Sequence, residues 1–124
     1  MRALLIVLLL VGLARATPEE QAVMEAIRTY ERALLAARDR SELYPYLSAD
    51  TVLRCQQGNR YVGELEMLRM LGDYFDKPDT RVTNLVVRSD QARVDLQAML
   101  GKVMVLHHYT LKREGGAWKI VLPP

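Results

Sequence analysis

The chain has one cysteine, one tryptophan, one phenylalanine and two histidines among 124 residues, and each scarcity removes a class of function. A lone Cys55 can neither close a disulfide within the chain nor build a multi-thiolate metal site. Its leading reading is a small buried residue on a strand, with a reactive thiol or an intermolecular crosslink as alternatives. His107 and His108 are adjacent, and adjacent strand residues point to opposite faces. Two diverging histidines and one cysteine do not supply the convergent ligands that zinc needs, so no metal and no cofactor is expected. An excess of charge of one sign is missing too. The 17 Lys and Arg stand against 15 Asp and Glu, and Arg2 and Arg15 fall in the first 16 residues, so the remainder is balanced. With no basic run, nucleic acid is excluded as a partner, because phosphate recognition demands clustered cations.

No apolar run long enough to span a membrane is present. Ala3 to Leu13 is apolar for 11 residues, whereas a spanning helix needs about 20. Preceded by Arg2 and followed by Ala14-Arg15-Ala16, the run has the layout of a secretory signal peptide cut after Ala16. Thr17 rather than cysteine follows the cut, which excludes a lipoprotein anchor. The expectation is an exported protein, periplasmic or secreted, with residues 1–16 as signal peptide and 17–124 as a single domain. It has no membrane span once the leader is removed. The 108 residues left after 16 are removed from 124 suffice for one modest core.

Thr17-Pro18-Glu19-Glu20 is a helix start, with a Thr cap, proline in the first helical position and Glu three residues after the cap. Val23, Ala26, Ile27, Tyr30, Ala33, Leu34 and Ala37 then form an apolar stripe at spacings of three and four, with Arg28, Glu31, Arg32 and Arg38 mostly off it. Ser41 caps a second, short helix through Leu47, limited by Pro45. Thr51 to Gln56 reads as a strand, turned back by Gly58-Asn59 into Arg60 to Val62. Met67, Leu68, Leu71, Tyr74 and Phe75 predict a third helix between Gly63 and Lys77-Pro78. From Thr80 the period changes to two, with Ala92, Val94, Leu96, Ala98 and Leu100 alternating with Arg93, Asp95, Gln97 and Met99, and turns fall at Ser89-Asp90-Gln91, Gly101-Lys102 and Gly115-Gly116. Three helices in the N-terminal half and about four to six antiparallel strands define an α+β domain with helices on one face of a cone-like curved sheet.

Three stretches, "LYPYLSADTVLR", "YVGELEMLRMLGDYF" and "HYTLKREGGAWKIV", together with this order of elements, resemble the nuclear transport factor 2-like superfamily. It includes SnoaL-like cyclases and steroid isomerases. The resemblance implies a pocket between helices and sheet, and pairing of two copies through the outer sheet face. In the isomerases a proton-shuttling aspartate follows a Thr-Val pair on the first strand. The matching pair here is Thr51-Val52 and the matching position Arg54, which cannot serve as a base. Tyr30 resembles the oxyanion-donating tyrosine of those isomerases, but its leading reading is a core tyrosine with its hydroxyl satisfied.

The candidate site follows from alternation. A two-residue turn at Gly115-Gly116 pairs Leu111 with Ile120 and gathers Val103, Val105, His107, Tyr109, Leu111, Trp118 and Ile120 on one inward, largely apolar face. His107, Tyr109, Trp118, Tyr30 and Arg54 are therefore the candidate ligand-binding residues, Arg54 with either an outward or a pocket-facing orientation. No catalytic residue is assigned, and the nearest acid to Arg54 is Asp50, at a turn. The leading expectation is a non-catalytic module binding a small apolar or amphipathic molecule, or a protein, in that pocket. If Arg54 faces inward, the ligand's polar group should be an anion. The alternatives are an acid–base isomerase or dehydratase using His107 with Tyr30 or Tyr109, and a structural dimer whose pocket its own side chains fill. Met99, Met104, Leu106 and Val121 fall on the opposite face and predict homodimerisation there.

Overall fold

The computed structural model describes residues 16–57 and 80–123. The leader up to Arg15, the Gly58-Asn59 turn with the return strand Arg60 to Val62, and the helix expected between Gly63 and Pro78 lie outside the described residues.

Helix α1 spans Pro18–Ala36. It begins where its sequence demands. The Glu20 N–H donates to Thr17 Oγ1 at 3.1 Å and the Thr17 N–H donates to Glu20 Oε1 at 2.9 Å. This satisfies two otherwise orphaned donors, and a cap of this kind contributes about 1 kcal/mol. Val23, Met24, Ile27, Tyr30, Glu31 and Leu34 form its buried face. A 3-10 helix, Arg40–Tyr46, follows. Asp39, not Ser41, starts it: the Asp39 N–H donates to Glu42 Oε2 and its carbonyl accepts from the Glu42 N–H, both at 3.0 Å. The Ser41 hydroxyl instead donates to Asp39 Oδ2 at 2.6 Å, and this bond holds the Asp39 carboxyl below its usual value.

The segment expected as the first strand is helix α2, Ala49–Gln57. Ser48 Oγ accepts from the Thr51 N–H at 3.2 Å, and the Ser48 carbonyl accepts from the Val52 N–H at 2.9 Å, which is how a capped helix begins. Thr51 and Cys55, four residues apart, are its buried side chains. Cys55 is thus buried as expected, on a helix rather than a strand.

The C-terminal half is a meander of β1 (Arg81–Arg88), β2 (Gln91–Leu100), β3 (Val103–Glu114) and β4 (Ala117–Val121), antiparallel and in sequential order. Leu111 pairs with Ile120 and Glu114 with Ala117, leaving Gly115-Gly116 as the two-residue turn. Both glycines have positive φ, 59° and 80°, the backbone of a primed hairpin turn that side chains resist. In β1 the register slips between Val82 and Asn84. Thr83 is the extra residue, so Val82, Leu85 and Val87 all reach the inner face despite their uneven spacing. A bulge of this kind bends the sheet.

Among the described residues three helices thus precede a curved, unclosed four-stranded antiparallel sheet, an α+β architecture. The core lies between α1 and the sheet, where Ile27, Tyr30 and Leu34 meet Val94, Leu96, Leu111 and Ile120. The helical half is stitched to the edge of β4 by a bridge between Leu47 and Ile120 and by the Ser48 N–H donating to the Ile120 carbonyl at 2.9 Å. No described helix is long and apolar enough to cross a membrane.

Candidate functional site

Register puts His107 opposite Leu96 and Tyr109 opposite Val94, so both project from the inner face of β3. His108, opposite Asp95, projects from the outer face. The two histidines diverge, as alternation requires. Among the described residues no group of three or more His, Cys, Asp or Glu is placed to hold a metal ion.

His107, Tyr109 and Tyr30 come together. The His107 and Tyr109 rings meet edge-to-face at 4.7 Å and 81°, and Tyr109 meets Tyr30 of α1 edge-to-face at 6.1 Å and 84°. The group that completes the cluster is Glu31, 1% exposed. The Tyr109 hydroxyl donates to Glu31 Oε2 at 2.5 Å, in the range of a charge-assisted O–H···O bond. A carboxylate therefore does belong to this wall. Glu31 lies four residues after Ile27 and three before Leu34, so helical spacing alone put it on the buried face; its charge argued the other way. The His107 imidazole is pushed down to about 4, first by burial and then by the neighbouring His108. At neutral pH it is uncharged and can accept a hydrogen bond.

Trp118 and Arg54 do not join this cluster. Trp118 pairs with Arg113, six residues along β3 from His107 and so about 20 Å away at strand spacing. There its indole Nε1 donates to Glu19 Oε1 at 3.2 Å and the Arg113 guanidinium lies 5.2 Å over its ring. Arg113 itself donates to both Glu19 oxygens at 2.6 and 2.7 Å, to Asp90 Oδ1 at 3.2 Å and to the Ser89 carbonyl at 3.3 Å. These bonds clamp the first turn of α1 to the sheet. Trp118 also lines a groove of about 440 Å³ with Ala22, Ala26, Pro45, Tyr46 and Lys119, outside the interior.

Arg54 stands on α2, not on a strand. It pairs with Asp50 one turn earlier and donates to the Leu122 carbonyl at 3.0 Å. It is neither fully solvated nor set in the inner wall: it fastens α2 to the end of the sheet. Asp50, expected at a turn, is in the first turn of α2.

Helices packed on one face of a curved antiparallel sheet define the class of the molecule, an α+β domain, whose inner face gathers Glu31, Tyr30, Tyr109 and the half-buried His107. The particular fold is nuclear transport factor 2-like. A candidate NTF2-like transpeptidase from Campylobacter jejuni superposes with a TM-score of 0.55 over 87% of this chain and 100% of that one, at 10% identity. A de novo designed protein with a curved β-sheet matches with a TM-score of 0.43 at 14% identity, over 88% of this chain and 89% of its own. The sequence matches no protein-family model and no curated protein.

Proposed function

We propose that this chain is an exported module that binds a small, mostly apolar molecule between α1 and the sheet, with the ligand's one polar group directed at Glu31 and Tyr109. The observation that carries this reading is the buried Tyr109–Glu31 hydrogen bond in a wall otherwise built from Val94, Leu96, Ala98 and Val105. Apolar walls with one or two placed polar groups suit such molecules. The polar group should be a hydroxyl or amine. An anion follows only if Arg54 faces inward; Arg54 instead bonds Asp50 and the Leu122 carbonyl, and a second carboxylate beside Glu31 would meet like charge. His107 also favours binding over chemistry. A ring whose pKa is about 4 accepts a hydrogen bond well but is a weak base, and general bases work best near the operating pH.

The test titrates alcohols, amines and carboxylic acids of matched aliphatic chain length into mature protein by calorimetry, in wild type and Glu31→Gln. A preference of about tenfold or more for alcohol or amine over acid, roughly 1.4 kcal/mol, narrowing in the variant, is the expected result. Equal affinity for acids, or no binding of any class, overturns it. A second reading, an isomerase or dehydratase using His107 with Tyr30 or Tyr109, is favoured by the edge-to-face chain that links the three rings. Turnover that disappears in His107→Ala while ligand affinity persists would select it.

A further inference from the structure

We propose that the β2–β3 hairpin tip, with the outer sheet face beside it, docks onto an anionic phospholipid surface. Among the described residues the tip pairs with no other strand. Pairing of β1 ends at Gln97 of β2, and pairing of β4 ends at Thr110 of β3, so residues 98–105 run beyond both. Its end is apolar on both sides, whereas Ala98 and Val105 behind it are packed into the inner wall. Met104 and Leu106 project from the outer face, opposite Met99 and Gln97, and are 53% and 68% exposed; Val103, on the opposite side of the same strand, is 64% exposed. A flat partner covers one side of a hairpin. A bilayer interface surrounds both, and it is the surface on which apolar side chains at a protruding tip lose water together.

Charge selects the kind of bilayer and argues against a second copy. Lys102 occupies the exposed turn, Arg81 sits in the Leu106 row of the outer face, and Arg88, Arg93 and Lys112 lie in the rows behind it. Asp95 is already engaged by Arg93 at 3.1 Å and by Asn84 at 3.3 Å. Arg88 and Arg93 also border a depression of about 220 Å³ on this face. Arg93 and Lys112 are themselves paired, with Asp95 and Glu114; two copies joined face to face would oppose the remaining cations, Lys102, Arg81 and Arg88, to one another, whereas anionic headgroups would meet them.

Mature protein is floated with vesicles of phosphatidylcholine alone and of phosphatidylcholine with one-third phosphatidylglycerol, at low salt and in 0.5 M NaCl. Binding should require phosphatidylglycerol, weaken with salt, fall about fivefold for each of Lys102→Gln and Arg81→Gln, and disappear in Leu106→Glu. Met104→Trp should blue-shift on phosphatidylglycerol vesicles, which reports entry of the tip rather than adsorption of charge alone. Circular dichroism establishes that each variant is folded, and a variant that fails it is replaced by Leu106→Gln. The proposal is overturned by no binding to phosphatidylglycerol vesicles at low salt, or by binding that a folded Leu106 variant retains. It is equally overturned by a wild-type dimer that Leu106→Glu converts to monomer with vesicle binding in neither, which would assign the face to a second copy.

Discussion

The two ends of the inner sheet face use polar groups in opposite ways. At one end Glu19, Arg113, Asp90 and Trp118 are bonded across three elements, and the charged groups stay partly in contact with water, Arg113 and Glu19 being 35% and 37% exposed. Charges there cost little to desolvate and hold α1 on the sheet. At the other end Glu31 is withdrawn from water against Tyr109. Buried polar pairs are seldom the most stable choice for a core: apolar residues of similar volume often do as well or better. Clamping at one end suits a scaffold, and under the proposed function the costly carboxylate at the other end marks the working surface.

Substitutions can break that comparison. The largest effect is expected at the clamp: Trp118→Ala removes a buried indole and its bond to Glu19, and should cost about 3–5 kcal/mol in urea melts. Ligand affinity at the His107 end should be retained. At the polar end, Tyr109→Phe strips Glu31 of its hydroxyl donor and should cost about 1–3 kcal/mol. The double variant Tyr109→Phe with Glu31→Met should recover most of that loss, since both polar partners then go together. Additive losses in the cycle would make this end structural as well.

A pH effect sharpens the contrast. The His107 pKa is about 4 in the folded chain against an ordinary value of 6.5, so between those values the unfolded chain binds a proton that the folded chain does not. Stability should fall as pH falls through that window and level off below it. The change should be on the order of 1–2 kcal/mol for a ring that keeps some water contact, and absent in His107→Gln. The smallest effect is Arg113→Gln, at about 1 kcal/mol or less because its pairs are partly exposed, and diminishing with added salt.

Where local chemistry and tertiary demand agree, the sequence was legible. Thr17, Pro18 and Glu20 marked the start of α1, the paired glycines marked the β3–β4 turn, and alternation placed His107 and Tyr109 inward and His108 outward. It failed where two signals competed. Thr51-Val52 and the alternation of Leu53, Cys55 and Val62 read as a strand, but Ser48 as a cap and the four-residue interval between Asp50 and Arg54 favour a helix, and packing of Thr51 and Cys55 decided it. Glu31 was masked by its charge. Trp118 was placed on the correct face but at the wrong end, because a shared face says nothing about distance along a strand. Arg54 lies on a helix, so neither orientation that a strand allows applies to it. The Thr83 bulge left no mark in a pattern that reads only alternation.

That bulge bears on how the chain avoids its own kind. Among the described residues β1 pairs on one side only, with β2, and an edge of eight residues containing Val82, Leu85, Val86 and Val87 is the sort of segment that recruits strands from neighbouring molecules into fibrils. The slip at Thr83 puts the hydrogen-bonding groups on either side of it out of step, while Arg81 and Arg88 close the segment with charge at both ends. An incoming strand finds no continuous run to copy, so the same residue that bends the sheet also acts as a guard against aggregation.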